Sequence, residues 1–241
     1  MNTLFISDLH LEDSRPQTTA LLNAFLAGPA RRADAVYILG DLFEFWIGDD
    51  MLTDTAKHVA ASLAALENSG TPCYFQHGNR DFLLGESYAR SAGLKLLPEV
   101  HIADLYGTPT LLLHGDTLCT DDMDYQAFRR QVRNPQFQSM FLQMPPEQRV
   151  EMAKNARDAS NKSNSKKPME IMDVNEQAVC RTFDAHSVQR MIHGHTHRPA
   201  VHQHVLANGA TTERLVLSDW YDTGSYLQVG PEDYEAVPVT D

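Results

Sequence analysis

The sequence predicts an α/β protein in which an open sheet, alternating with helices, packs against a second sheet. Three features carry that prediction. Apolar strand-like runs alternate with helix-period segments through the first half, short strand-like runs divided by turn residues fill the end, and a stretch of helices separates the two patterns. Leu4 to Ile6 opens the chain as a strand. Pro16 starts the first helix, with Leu21, Leu22 and Phe25 on one face and Gly28 placed to end it as a left-handed cap. Ala35 to Leu39 is the second strand. Thr53 or Asp54 caps a helix whose Ala56, Val59, Ala60, Leu63 and Leu66 recur at helical spacing, with Gly70 beyond its end. Cys73 to Phe75, then a helix from Glu86 to Ala92 closed by Gly93, complete a βαβαβα series. Leu111 to Leu113 and Met191-Ile192 are further strand-like runs. After His197 come Val201 to Leu206, Arg214 to Leu217 and Tyr226 to Val229, which suggest the second sheet.

Five polar clusters follow or lie beside strand-like runs, in the order Asp8-Leu9-His10, Gly40-Asp41, Gly78-Asn79-Arg80-Asp81, His114-Gly115-Asp116 and Gly194-His195-Thr196-His197. An open α/β sheet places its ligands at strand ends, which is where these clusters fall. Their donors are imidazole, carboxylate and amide oxygen, a set that suits Mn, Fe(II), Zn or Co better than Ca or Mg. Asp8 with His10, and His195 with His197, are i,i+2 pairs, so in extended backbone both members of a pair point the same way, and one such pair can grip one ion. Asp41 is a lone carboxylate able to bridge two cations, and Asn79 and His114 complete a second set. A single Asp-x-His is an ordinary turn; five clusters in strand-then-loop context read as a two-metal hydrolase site.

The 241 residues fit one domain spanning 1–241, and 42% hydrophobic content is enough for a substantial core. A net charge of −12 argues against a general nucleic-acid binder, which needs a broad basic surface. Cys73, Cys119 and Cys180 are odd in number, widely spaced and without a Cys-x-x-Cys, as expected of core thiols in a reduced intracellular protein. No apolar run approaches bilayer-spanning length, and Asp8 lies too near Met1 for a cleavable signal, so a cytoplasmic protein is expected.

Residues 121–173 break the βα pattern. Phe137, Met140, Phe141 and Met144 fall at i, i+3, i+4, i+7, and Tyr125, Phe128 and Val132 make another apolar face, so helices divided by Pro135 and Pro145-Pro146 are expected. From Gln126 to Lys167 nine Lys and Arg face three acids, a local charge of +6. A basic, Met-containing helical cap beside a metal site suits a substrate anionic at one end and greasy at the other. Packing on the sheets with solvated charges is the plainer alternative.

The ordered set resembles the calcineurin-like metallophosphoesterase superfamily from Asp8 to His197. The resemblance implies a two-sheet β-sandwich flanked by helices, with the helical cap inserted into it. It also implies hydrolysis by a water activated between two ions about 4 Å apart, attacking phosphorus in line without a protein nucleophile. Arg80 departs from the superfamily pattern, in which a histidine usually follows the Gly-Asn pair. A guanidinium gives up no proton at neutral pH. It clamps phosphate and stabilises a leaving group that is already a good anion, which pyrophosphate cleavage provides. An ion pair with Asp81 is the structural alternative for Arg80.

Ile6 to Leu11, Gly40 to Glu44, Arg80, His114 to Asp122 and His193 to Pro199 are similar to the branch of the superfamily that hydrolyses UDP-2,3-diacylglucosamine in Gram-negative lipid A biosynthesis. That resemblance implies cleavage to UMP and 2,3-diacylglucosamine 1-phosphate with two divalent ions, usually Mn(2+). It places the reaction at the cytoplasmic face of the inner membrane, with the acyl chains clamped by the cap, and implies no nucleic-acid or obligate protein partner. Carried over by position, Asp8, His10, Asp41 and His197 would hold one ion, and Asp41, Asn79, His114 and His195 the other. Catalytic roles would fall to Asp41, Asn79 and Arg80. Substrate contacts would fall to Asn79, Arg80, Asp122, Ser160, Asn164, Lys167 and His195, with Arg157 a further candidate. Ser160, Asn164 and Lys167 stand at i, i+4, i+7, on one face of a helix. His193 is expected to pack behind the metal pair, and His202 and His204 to form a strand's solvent face rather than a third pair. The alternatives are a metallophosphodiesterase or nucleotide phosphatase acting on a soluble substrate, and a protein-interaction scaffold with decayed ligands. The presence of all seven expected ligands speaks against the scaffold.

Overall fold

The computed structural model describes residues 1–164, 171–221 and 223–239, apart from the side chains of Asn161, Ser163 and Asn164. The first half runs β1 (Thr3–Ile6), α1 (Pro16–Ala27), β2 (Ala35–Leu39), α2 (Asp54–Asn68), β3 (Cys73–Gln76), α3 (Glu86–Ala92), β4 (Leu94–Leu96), β5 (His101–Leu105) and β6 (Thr108–Leu112). Three helices follow, α4 (Met123–Val132), α5 (Pro135–Leu142) and α6 (Pro146–Asn164). The chain ends with α7 (Glu176–His186), β7 (Arg190–His193), β8 (Ala200–Val205), β9 (Thr211–Val216), β10 (Ser225–Val229) and β11 (Tyr234–Pro238). Among the described residues the strands form a six-stranded sheet, β11-β10-β1-β2-β3-β4, and a five-stranded sheet, β5-β6-β7-β9-β8.

The period-2 alternation of strand side chains sorts these residues into layers. Leu4, Ile6, Val36 and Ile38 pack with Leu22, Phe25, Val59 and Leu63 of α1 and α2, while the intervening Phe5, Tyr37 and Leu39 meet Leu112, Ile192 and Leu215 of the other sheet. Leu111 and Met191 point the opposite way, onto Val179 and Phe183 of α7. The order is therefore helices, sheet, sheet, helix, the flanked two-sheet sandwich expected. Phe5, Tyr37 and Tyr74 stack across three adjacent strands, with ring centroids 5.1 and 4.7 Å apart. The described residues contain no helix long and apolar enough to cross a membrane.

Two expectations change. Gly28 has φ −105°, outside the left-handed region, because Pro29 immediately starts a short 3-10 turn and the chain continues instead of reversing. The run Tyr226 to Val229 joins the first sheet: β10 pairs antiparallel with β1 and thereby covers an edge that βαβ winding leaves open. Gly93, by contrast, closes α3 at φ 67°, and Thr53 Oγ accepts the Ala56 N–H at the start of α2, as expected.

The helices of the basic segment are tied to the loops after β2 and β3. Arg133 donates to the Gly78 carbonyl at 2.9 Å. Arg149, only 2% exposed, donates to the Ile47 carbonyl at 2.7 Å and pairs with Asp50. Gly48 makes room for this: at φ +130°, a Cβ there would lie 2.5 Å from Arg149 Nη1. Replacing Asp50 by Ala leaves that guanidinium half-paired. The expected cost is about 2 kcal/mol, below the range for fully buried pairs because Asp50 is open to solvent. Chemical denaturation checks it, and an unchanged midpoint would show that the Asp50 pair adds nothing to the Arg149 bond with the Ile47 carbonyl.

Candidate metal centre

The five polar clusters occupy the ends of β1, β2, β3, β6 and β7, and the structure brings them to one place. The pairs Asp8/His10 and His195/His197 are not in extended backbone, as had been expected. Both members of each pair adopt the left-handed conformation (φ 56°, 50°, 68° and 54°), as does Asp41 (φ 52°). Such conformations cost about 1–3 kcal/mol where no glycine relieves them, and they persist where surrounding structure fixes them. Here the fixing is visible. The amide of Asp8 bonds the Gly40 carbonyl, that of His10 the Asp41 carbonyl, and that of His195 the Asp8 carboxylate at 2.9 Å. Glycines 78 and 194 complete the packing, since a Cβ on either would fall 2.1 Å from a carboxylate oxygen of Asp41 or Asp8.

Three imidazoles share one orientation. His10, His114 and His197 turn Nδ1 outward, toward Glu44 Oε2 at 2.9 Å, the Leu39 carbonyl at 2.8 Å and Asp219 Oδ2 at 3.2 Å. The Leu39 carbonyl places the His114 proton on Nδ1 and turns its Nε2 inward; His10 and His197 only approach their carboxylates, and His10 Nδ1 makes no hydrogen bond of good geometry. Inside, His10 Nε2 and His197 Nε2 stand 3.4 Å apart, and Asp8 Oδ1, 3.4 Å from His197 Nε2, has no hydrogen-bond partner. Asp41 faces both ways, with Oδ2 3.8 Å from His10 Nε2 and Oδ1 3.7 Å from His114 Nε2. Asn79 Oδ1 lies 2.9 Å from His114 Nε2 and 2.8 Å from His195 Nδ1.

Opposed lone pairs and an orphaned carboxylate oxygen are costly when buried. Asp8, His10, Asp41 and His114 are each 2% exposed or less. Burial, with Asp81 and Asp8 nearby, raises the Asp41 carboxyl above its usual range despite His114 and His10. Burial pushes His114 down, yet Asp41, Asp8 and Asp116 outweigh it and bring it to about 9. Divalent cations relieve both problems at once, and Asp8-His10-His197 and Asp8-Asp41-His114 each bring their donor atoms within 4.8 Å of one another. The residues present fit two ions, with Asp41 reaching toward both sets.

Arg80 stands beside this centre with its Nε buried and unpartnered. Asp81 is not its partner. The Asp81 carboxylate instead accepts the amides of Asp41, Leu42, Phe43 and Gly78, at 3.3, 2.7, 3.4 and 2.9 Å, and so locks the β2 and β3 loops together. The remaining expected substrate contacts divide. Asp122 caps α4 by accepting the Tyr125 amide at 3.0 Å, Ser160 is half-buried on α6, Asn164 ends that helix, and Lys167 lies outside the described residues. Arg157, one turn before Ser160, pairs with Glu44, the residue behind His10. Arg149, Arg157 and Ser160 follow helical spacing, so one face of α6 lies over the loop from Glu44 to Asp50.

Glu44, Asp219 and Tyr221 escaped sequence reasoning. Tyr221 stacks on His10 with centroids 5.2 Å apart, and the Arg15 guanidinium lies over the Tyr221 ring at 4.7 Å. A signal for Asp219 existed: Leu217-Ser218-Asp219 repeats the pattern Ile6-Ser7-Asp8, and β9 runs parallel to β7, which delivers it to the same edge.

Comparison with known proteins agrees with this geometry. The family model for calcineurin-like phosphoesterase matches residues 1–199. A relative from Escherichia coli O81 (strain ED1a), named UDP-2,3-diacylglucosamine hydrolase, is 52% identical over 237 residues, 98% of this chain and 98% of its own. One of the same name from Edwardsiella ictaluri (strain 93-146) is 53% identical over 229 residues, 95% of this chain and 88% of its own.

Proposed function

The chain belongs to the calcineurin-like phosphoesterase family, and on that premise we propose that it hydrolyses the pyrophosphate bond of UDP-2,3-diacylglucosamine, giving UMP and 2,3-diacylglucosamine 1-phosphate in lipid A biosynthesis. The observation that carries this reading is Arg80: an unpartnered guanidinium nitrogen beside a buried dinuclear donor set. Two divalent cations bound there, Mn(2+) by our assignment, supply a water nucleophile at neutral pH and neutralise phosphoryl charge. The protein does the rest. Asp8, His10, Asp41 and His197 hold one ion; Asp41, Asn79, His114 and His195 the other. Asn79 and Arg80 meet the substrate phosphates, and Arg80 stabilises the departing anion without transferring a proton. That suits a phosphate leaving group and suits an alkoxide poorly.

Helices α4 to α6 act as the cap, an insertion over residues 121–173 of a single domain. Met123, Phe128, Met140, Leu142, Val150 and Met152 are exposed on them, beside the basic residues of the same segment. Val132 and Phe141 are buried, but these six side chains are not spent on the core and are free for acyl chains and for the cytoplasmic face of the inner membrane. Asp122, Ser160 and His195, with Asn164 and Lys167 carried over from the resemblance, are assigned to contact the substrate between its phosphates and its acyl chains. Acyl-chain dependence tests the assignment. Two buried methylenes are worth about 1.6 kcal/mol, so deacylated substrate should lose at least about tenfold in kcat/KM. Equal kinetics with and without acyl chains would return the substrate to a soluble nucleotide diphosphate.

A further inference from the structure

Arg214 lies in β9, 5% exposed, and its guanidinium sits between two imidazoles. Nε donates to His204 Nε2 at 3.2 Å, and Nη1 lies 3.1 Å from His193 Nε2. A guanidinium has donors only and stays protonated, so both Nε2 atoms must present lone pairs and both histidines must carry their proton on Nδ1. Each Nδ1 then has an acceptor: the Gly194 carbonyl at 2.8 Å for His193, and Glu176 Oε1 at 2.6 Å for His204. One arginine fixes two tautomers. His204 is thus not on a solvent face, as had been expected, but 4% exposed.

The inner end of this chain of bonds is the turn that carries His195 and His197. The Gly194 amide bonds the His114 carbonyl at 2.9 Å, and Gly194 packs against Asp8 and Ser7 so closely that a Cβ would fall 2.1 and 2.2 Å from their oxygens. His193 fills the gap to the next loop, where a Cβ on Gly115 would lie 2.6 Å from its Nδ1. The outer end is Glu176, first residue of α7. Nearby, Asp173 pairs with Arg198, the residue after His197. The segment entering α7 therefore holds the metal turn at both ends.

Glu176, Cys180 and His204 also have the spacing of a metal trio. Arg214 works against that use, because it leaves the proton on the nitrogen of His204 that would face the ion. Burial and the Glu176 and Asp184 carboxylates push the Cys180 thiol up as well.

We propose that Arg214, held between His193 and His204, is a positioning residue that sets the His195-Thr196-His197 turn for metal binding. The proposal rests on the metal-centre reading above. Nitrogen-15 NMR of histidine-labelled, metal-free protein at neutral pH should show His193 and His204 as neutral Nδ1–H tautomers; an Nε2–H tautomer at either would overturn the proposal. The variants H204Q and H204L extend the test to Mn(2+) affinity measured by electron paramagnetic resonance. Gln can accept from Arg214 and donate to Glu176, so it should bind within about threefold of the parent, whereas Leu should weaken binding about tenfold or more. Parent-like affinity in H204L, or equal losses in both, would refute the positioning role. A parent protein that binds no Mn(2+) would instead refute the metal centre itself, and the proposal with it.

Discussion

Asp41→Asn is expected to lower kcat/KM by about 10³-fold or more while leaving the fold intact. The side chain faces both donor sets, so replacing one carboxylate oxygen by an amide nitrogen weakens both at once. Losing several kcal/mol of charge stabilisation in the transition state amounts to about that factor. Asn keeps the local structure because it tolerates the left-handed backbone and can still accept the Arg80 amide hydrogen bond, 2.8 Å long in the parent. Full activity in the variant would show that Asp41 is not a ligand the reaction needs.

Arg80→Ala should lower turnover about 10²- to 10³-fold, the usual effect of removing one donor to a developing oxyanion. Metal content should barely change, because the bond to Asp41 comes from the Arg80 backbone and survives the substitution. Arg80→Lys should fall between the two, since a lysine restores charge without the planar fork. Turnover unchanged in the Ala variant would remove the leaving-group argument and reopen the choice among phosphoesters.

The strand-helix alternation, the five clusters and their common edge were legible because each is local: an apolar run, a cap, then polar residues at a strand end. What depended on distant residues was not. Tyr226 to Val229 reads as a strand, but only its ladder with Thr3 to Phe5 assigns it to the first sheet. Strand β4, three residues long, and edge strand β11, with its Pro238 and mixed exposure, offer too little alternation to be seen. The left-handed backbone at Asp8 and His10 left no glycine as a marker, since bonds from the Gly40-Asp41 loop impose it. Arg214 looked like an ordinary charged residue in a strand; its role appears only when His193 and His204 close on it.

The activity proposed is that of a metal-dependent pyrophosphatase that reads a diacylated sugar nucleotide. The most direct test is release of UMP from UDP-2,3-diacylglucosamine by chelator-treated protein, before and after loading with Mn(2+), beside UDP-N-acetylglucosamine and a simple aryl phosphodiester. We expect no release without metal and selective cleavage of the diacylated substrate with it. Metal-independent release, or cleavage of the aryl diester alone, would contradict the account.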